Sequence, residues 1–120
     1  MIAKRYLIVC RRPPYGESYA REALDVALAA AAFDQPVAFL FLGDGIAQLL
    51  RAQDSVAIAE KSLEKQLAAL PLYDIDTIYV DAAALRERGF TLDDLSLPAQ
   101  ALADDAIATL IRQHDIVLNF

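Results

Sequence analysis

The side chain with the most reactive chemistry in this sequence is Cys10, the only cysteine of the chain. A thiolate can act as a nucleophile, and it needs an electropositive, partly exposed site to do so. Arg11 and Arg12 follow directly, but Cys10 ends a mostly apolar run over 4–10, where cysteine behaves as a small core hydrophobe. We therefore expect Cys10 to be buried in a strand and to do no chemistry. A lone cysteine forms no internal disulfide, which fits a reducing compartment.

Other residues with acid–base or metal-binding chemistry lack partners at suitable spacing. His114 is the only histidine, without a cysteine or second histidine for a metal site and without a nearby serine for a triad. We expect it at the C-terminal end of a helix, where a cation complements the dipole. The acidic pairs at 93–94 and 104–105 are expected in a loop and at a helix start, not as an acid–base pair. The sequence thus predicts no catalytic residue, no metal and no cofactor.

Two loops contain groups that could bind an anion. The loop Arg11-Arg12-Pro13-Pro14-Tyr15-Gly16 has two cations and a tyrosine, but no dinucleotide-binding or Walker pattern. A polar crossover loop is the favoured interpretation. The loop Gly43-Asp44-Gly45 lacks a following Lys-Ser/Thr, and its Asp44 would repel phosphate. We expect its glycines to supply the positive φ of a tight turn, and Asp44 to cap the next helix.

Apolar runs alternate with helical patterns along the chain. This alternation predicts βαβ units and a parallel sheet of four or five strands in a flavodoxin-like α/β layout, with helices on both faces and a single domain over 1–120. Functional loops are then expected at the carboxyl ends of the strands, at 11–18, 43–46 and 81–86. The predicted strands are 4–10, 37–42, 76–80, 97–101 and 116–120, and the predicted helices are 18–33, 46–50, 55–70, 81–89 and 104–114.

Composition restricts the classes of partner. The net charge is −6, so the chain repels a phosphate backbone, and we expect no direct nucleic-acid binding. The apolar run near the N-terminus is too short for a signal peptide or a membrane span, and we expect no membrane partner. Hydrophobic residues make up 57% of the chain, which is more than a small domain hides in its own core. This excess predicts burial against other subunits.

Four segments, in their order and spacing, resemble the DsrE/F/H family, and within it the TusC (DsrF-like) subunits. The resemblance covers nearly the whole chain, and its second and third segments are the most specific. The segments are LIVCRRPPYGESYAREALDVALA, FLFLGDGIAQLL, LYDIDTIYVDAAALRERG and HDIVLNF.

The resemblance implies a DsrE-type, flavodoxin-like fold and a cytoplasmic heterohexamer with TusB-like and TusD-like subunits. Such a complex passes persulfide sulfur from a TusA-like carrier toward a TusE-like carrier, for 2-thiolation of the tRNA wobble uridine. The family's sulfur-carrying cysteine belongs to the TusD/DsrE subunit, at the strand end before an A-A-x-L-R-type helix. Asp81 occupies that position here. The resemblance therefore implies a non-catalytic partner subunit, in which we expect Asp81 to act as a helix N-cap.

Two alternatives remain open at this stage. Within the family, the chain fits a DsrF-like subunit of a sulfur-oxidation DsrE–DsrF–DsrH complex. Outside this role, a free-standing homo-oligomer could bind a small ligand at the strand ends. One subunit's sequence does not separate these alternatives.

Overall fold

The computed structural model describes residues 3–14, 18–50 and 65–120, whose five strands form one parallel sheet in the order β4-β3-β2-β1-β5. The strands are β1 (Tyr6–Cys10), β2 (Val37–Phe41), β3 (Thr77–Asp81), β4 (Gln100–Leu102) and β5 (Ile116–Asn119). The α-helices with complete bounds are α1 (Tyr19–Ala32), α2 (Ala82–Glu87) and α3 (Asp104–Arg112). Short 3-10 helices span Gly43–Leu49, Leu70–Tyr73 and Leu92–Asp94.

The sheet separates two apolar layers. Successive side chains of a strand point to opposite faces, so Ile8 and Phe39 pack on one side, and Leu7 and Leu40 on the other. All five residues of β2 are buried, because helices cover both of its faces. This double coverage explains why β1 and β2 are apolar runs without alternation.

The strand order fixes which helices share a face. From β1 to β4 the chain moves across the sheet in one direction, so right-handed crossovers place α1 and α2 on the same face. The chain then returns from β4 to the far side of β1, which places α3 on the opposite face through Ile107 and Leu110. The predicted α/β class, with a parallel sheet and helices on both faces, is confirmed.

Several element boundaries differ from those that the sequence predicted. The short helix predicted at 46–50 is a 3-10 helix that begins at Gly43. The fourth strand lies at Gln100–Leu102 rather than 97–101, after Pro98, because proline cannot donate to a strand ladder. Of the helix predicted at 55–70, residues 55–64 lie outside the described residues, and 65–68 are helical. The α-helical residues end at 68, before Pro71, which lies in the first turn of the 3-10 helix Leu70–Tyr73, a position that tolerates proline.

Candidate functional site

Asp81 lies at the carboxyl edge of the sheet. It ends β3 and is in register with Leu102 at the end of the neighbouring strand β4. The chain leaves β3 for α2 on one face and leaves β4 for α3 on the opposite face. Functional loops of open α/β sheets lie at the carboxyl ends of the strands, so Asp81 lies at the edge where a site is expected.

The carboxylate of Asp81 is engaged by the helix that follows it. Its Oδ1 accepts hydrogen bonds from the backbone N–H groups of Ala83 at 3.1 Å and Ala84 at 3.4 Å. These donors are free N–H groups of the first turn of α2, so the predicted N-cap role is confirmed. Asp81 is only partly exposed. Its main local effect is to begin α2 at the strand end.

Cys10 ends β1 within the apolar layer under α1. The side chain has no solvent exposure and belongs to the same core cluster as Phe39 and Phe41. Burial raises the pKa of Cys10 to about 12, so the group is an uncharged thiol at neutral pH. Reactive thiols are partly exposed and readily ionised, and Cys10 has neither property in this structure.

The 3-10 helix Gly43–Leu49 packs directly on the end of β1. A Cβ on Gly45 would lie 2.0 Å from the carbonyl oxygen of Cys10, so only glycine fits there. Gln48, with 5% exposure, donates from Nε2 to the Arg12 carbonyl oxygen at 2.8 Å. Neither contact was predicted from the sequence, because a glycine needed for close approach looks like one needed for positive φ, and because Gln48 and Arg12 are 36 positions apart. Only Gly43 of this loop has positive φ, at 50°.

Both cations of the loop after β1 contact other parts of the protein. The Nε of Arg11 donates to Oδ1 of Asn119 at 3.3 Å, and the Arg12 guanidinium lies 3.9 Å from the ring centroid of Tyr19. These contacts link the loop to β5 and to the start of α1. They agree with the interpretation of this segment as a polar crossover loop. Tyr15 and Gly16, the other residues predicted there, lie outside the described residues.

Asp44 does not cap a helix, and that prediction was wrong. The 3-10 helix begins before it, with Leu42 as the N-cap residue, so Asp44 lies inside the first turn. Its Oδ1 instead accepts a charged hydrogen bond from Nη2 of Arg88 at 2.7 Å. This ion pair links the loop after β2 to the end of α2. The two residues are 44 positions apart, so no local pattern could have indicated it.

The remaining titratable candidates have local structural roles. His114 Nδ1 lies 2.8 Å from the carbonyl oxygen of Leu110, at the end of α3 as predicted. Asp94 forms a capping box with Thr91, and Asp105 Oδ1 accepts from the N–H of Ala106 at 2.9 Å. Within 3–14, 18–50 and 65–120, no cluster of three or more His, Cys, Asp or Glu residues could hold a metal ion. In the same ranges, no helix has the length and apolar character needed to cross a membrane.

Known proteins resemble this chain over most of its length. The DsrE/DsrF-like family matches residues 4–120. A Pseudomonas aeruginosa protein named "Protein TusC homolog" is 42% identical over 118 residues, covering 98% of this chain and 99% of its own. The Allochromatium vinosum "Intracellular sulfur oxidation protein DsrF" is 46% identical over 94 residues, covering 78% of this chain and 69% of its own.

A solved structure supports the same fold. The crystal structure of the ychN protein from E. coli superimposes with a TM-score of 0.81 and covers 98% of this chain and 99% of its own. Sequence identity is 18%, so this similarity bears on the fold alone.

Proposed function

The chain belongs to the DsrE/DsrF-like family, and on that premise we propose that it is a supporting subunit of a cytoplasmic sulfur-relay complex that carries no sulfur itself. The observation that carries this proposal is the state of its only thiol. Cys10 is fully buried, and its pKa of about 12 keeps it protonated at neutral pH. Sulfur exchange between proteins requires a thiolate that another protein can reach.

Asp81, at the end of β3, supports the same division of labour. By resemblance, the sulfur-carrying cysteine of a TusD-like subunit stands where Asp81 stands here. A carboxylate cannot form a persulfide, and its charge disfavours a neighbouring thiolate. The Asp81 carboxylate is also occupied with the first turn of α2. The role of this chain is then to bury apolar surface and to position the subunit that does carry sulfur.

The proposed partners are TusB-like and TusD-like chains in a heterohexamer, with TusA-like and TusE-like carriers as indirect partners. The proposed pathway is 2-thiolation of the tRNA wobble uridine. Relatives named TusC support this choice, because they match this chain along almost their entire length. Sulfur oxidation is the second candidate, and the 46% identity to DsrF over 94 residues favours it as the alternative.

Substitution of Cys10 tests the non-catalytic role. We expect a complex that contains Cys10→Ala or Cys10→Ser to pass sulfur to its carrier within about twofold of the wild-type rate, because sulfur transfer requires an exposed thiolate. Size-exclusion chromatography controls for assembly of each variant. A persulfide found on Cys10 by mass spectrometry during turnover would refute the proposal, as would a tenfold loss of transfer in both variants of an intact complex.

Deletion of the gene separates the two pathways. We expect tRNA from the deletion strain to lose 2-thiouridine, measured by liquid chromatography and mass spectrometry of nucleosides. Retained 2-thiouridine together with lost oxidation of stored sulfur would favour the second candidate. Complementation with the intact chain is the control.

A further inference from the structure

Three large apolar side chains are exposed together at the amino ends of β2 and β3. Their exposed fractions are 78% for Phe33, 84% for Leu72 and 55% for Tyr73. We call these three residues the amino-end patch. Among the described residues only Leu92, at 43%, is another exposed hydrophobic side chain of this size. The patch lies at the opposite end of the sheet from Asp81, so the site described above does not account for it.

The backbone holds the two aromatic residues of the patch in matching turns. Phe33 and Tyr73 each precede an aspartate with positive φ, at 60° for Asp34 and 63° for Asp74. Non-glycine residues adopt this conformation uncommonly, and aspartate is among those that tolerate it. Backbone N–H groups of Asp34 and Asp74 donate to carbonyl oxygens three residues earlier, at 2.9 and 3.1 Å. The exposed rings are therefore presented on closed, hydrogen-bonded turns.

Two clefts of different chemistry adjoin the patch. One, of about 490 Å³, lies beside Phe33, and its lining includes Val26, Ala29 and Ala30 of α1 together with Lys4. The other, of about 200 Å³, lies between the two turns. It is lined by Ala31, Asp34, Gln35, Pro36, Tyr73 and Asp74. The first cleft suits an apolar side chain, and the second combines two carboxylates with an aromatic ring.

We propose that the amino-end patch docks a segment of a partner subunit that places apolar side chains on Phe33 and Leu72 and one lysine or arginine between Asp34 and Asp74. A cation in that cleft gains from both carboxylates and from the ring of Tyr73. A second copy of this chain is the less favoured occupant, because a two-fold contact centred on the cleft between the turns brings the aspartates of both copies together. The inference deepens the proposed function and rests on it for the existence of partner subunits.

The apolar part of the surface is tested by co-expression with the TusB-like and TusD-like chains. The double variant Phe33→Ser with Leu72→Ser should reduce the amount of this chain recovered on the tagged TusD-like subunit at least tenfold. The matched control, Leu92→Ser, removes an exposed apolar side chain elsewhere and should leave recovery unchanged. Thermal unfolding of each purified variant checks the fold, which loss of exposed side chains should preserve.

The charged part is tested by Asp34→Asn with Asp74→Asn, since asparagine also tolerates positive φ. We expect at least a fivefold loss of recovery at low salt, and we expect high salt to weaken the wild-type complex more than the variant complex. Asp93→Asn, which removes an exposed carboxylate away from the patch, is the control.

The outcomes distinguish this inference from the proposed function. If the wild-type chain joins the complex and both double variants join it equally well, the docking surface is refuted while the proposed function stands. If the wild-type chain forms no complex with these partners, both fail. If the wild-type chain alone dimerises in sedimentation experiments and the patch variants are monomers, the occupant is a second copy and the proposed basic partner is wrong.

Discussion

Cys10 and Asp81 both end parallel strands, yet their side chains meet opposite surroundings. Cys10 points into the layer under α1 and is covered by the 3-10 helix that follows β2. Asp81 points toward the first turn of α2 and stays partly exposed. The difference comes from what the chain places over each strand end, not from the strands themselves. At the residue scale, the covering elements therefore decide which of the two side chains another protein can contact.

The raised pKa of Cys10 predicts a pH-dependent loss of stability. Its folded-state pKa of about 12 exceeds the unfolded value of about 8.5, so the folded state holds the proton more tightly. The free energy of unfolding is therefore unaffected below about pH 8.5 and falls by about 1.4 kcal/mol per pH unit above it. Urea unfolding should show the wild type losing about 2 kcal/mol more than Cys10→Ala between pH 7.5 and 10. Parallel profiles for the two proteins would contradict the burial of this thiol.

The capping contacts of Asp81 predict different effects for two substitutions. Asp81→Asn keeps an oxygen acceptor, so the free energy of unfolding should change little, whereas Asp81→Ala should lower it by about 1 kcal/mol. Denaturant unfolding of the isolated chain measures both. Sulfur transfer in the assembled complex should be retained by Asp81→Asn. A large loss of transfer in that variant, with stability unchanged, would show that the charge has a functional role beyond the cap.

At the scale of elements, the contact between the 3-10 helix and β1 organises the carboxyl edge. Gly45 allows the helix to approach the last carbonyl of β1, and Gln48 fixes the start of the following loop through the Arg12 carbonyl. Leu42 donates its N–H to the same Cys10 carbonyl at 3.0 Å. The helix is therefore held against the strand end at which Cys10 is fully buried. The Asp44–Arg88 ion pair adds little by comparison, because exposed pairs contribute about 0–1 kcal/mol.

Two glycine substitutions separate close approach from backbone strain. Gly45→Ala would place a Cβ 2.0 Å from the Cys10 oxygen, and the required backbone shift should cost about 3 kcal/mol, the upper end of the usual cost of overpacking. Gly43→Ala meets no atom within 4 Å, so its positive φ alone should cost about 1–2 kcal/mol. Denaturant unfolding of both variants makes the comparison. Equal costs for the two would show that the helix does not approach β1 this closely.

At the scale of the whole molecule, two ends of one sheet present different chemistry. The carboxyl edge carries Asp81 and the anchored Arg11 and Arg12, while the amino edge carries the exposed apolar patch. We therefore expect substitutions in the patch to leave the contacts of Asp81 unchanged.

The net charge of −6 predicts that the chain alone does not bind nucleic acid. Fluorescence anisotropy with labelled tRNA at low salt should show no saturation up to about 100 μM, because non-specific affinity comes from clustered cations that displace counterions. A basic protein of similar size is the positive control. Saturable binding at micromolar concentration would place an RNA-contacting surface on this chain.

Much of the fold was predictable because it depends on local patterns. The apolar runs of β1 and β2, the helical spacing of α1 and the glycine stop after α2 are set by the chain's own periodicity and backbone preferences. Gly89 follows α2 with a φ of 75°, the left-handed conformation typical of a glycine that ends a helix. The observed boundaries differ from the predicted ones where a contact with a distant segment sets the boundary. The helix at Gly43 began early because its turn packs against β1, and β4 formed only where its residues align with β3.

The sequence by itself determined that the chain has one thiol, an acidic surface and alternating strands and helices, because these follow from composition and local spacing. Tertiary structure alone decided that Gly45 covers the Cys10 strand end, that Asp44 pairs with Arg88, and that Phe33, Leu72 and Tyr73 share one surface. The first two of these features are contacts between residues about 35 and 44 positions apart. Strand order and crossover handedness decide which distant segments lie side by side. Residue spacing along the chain does not reveal these neighbours.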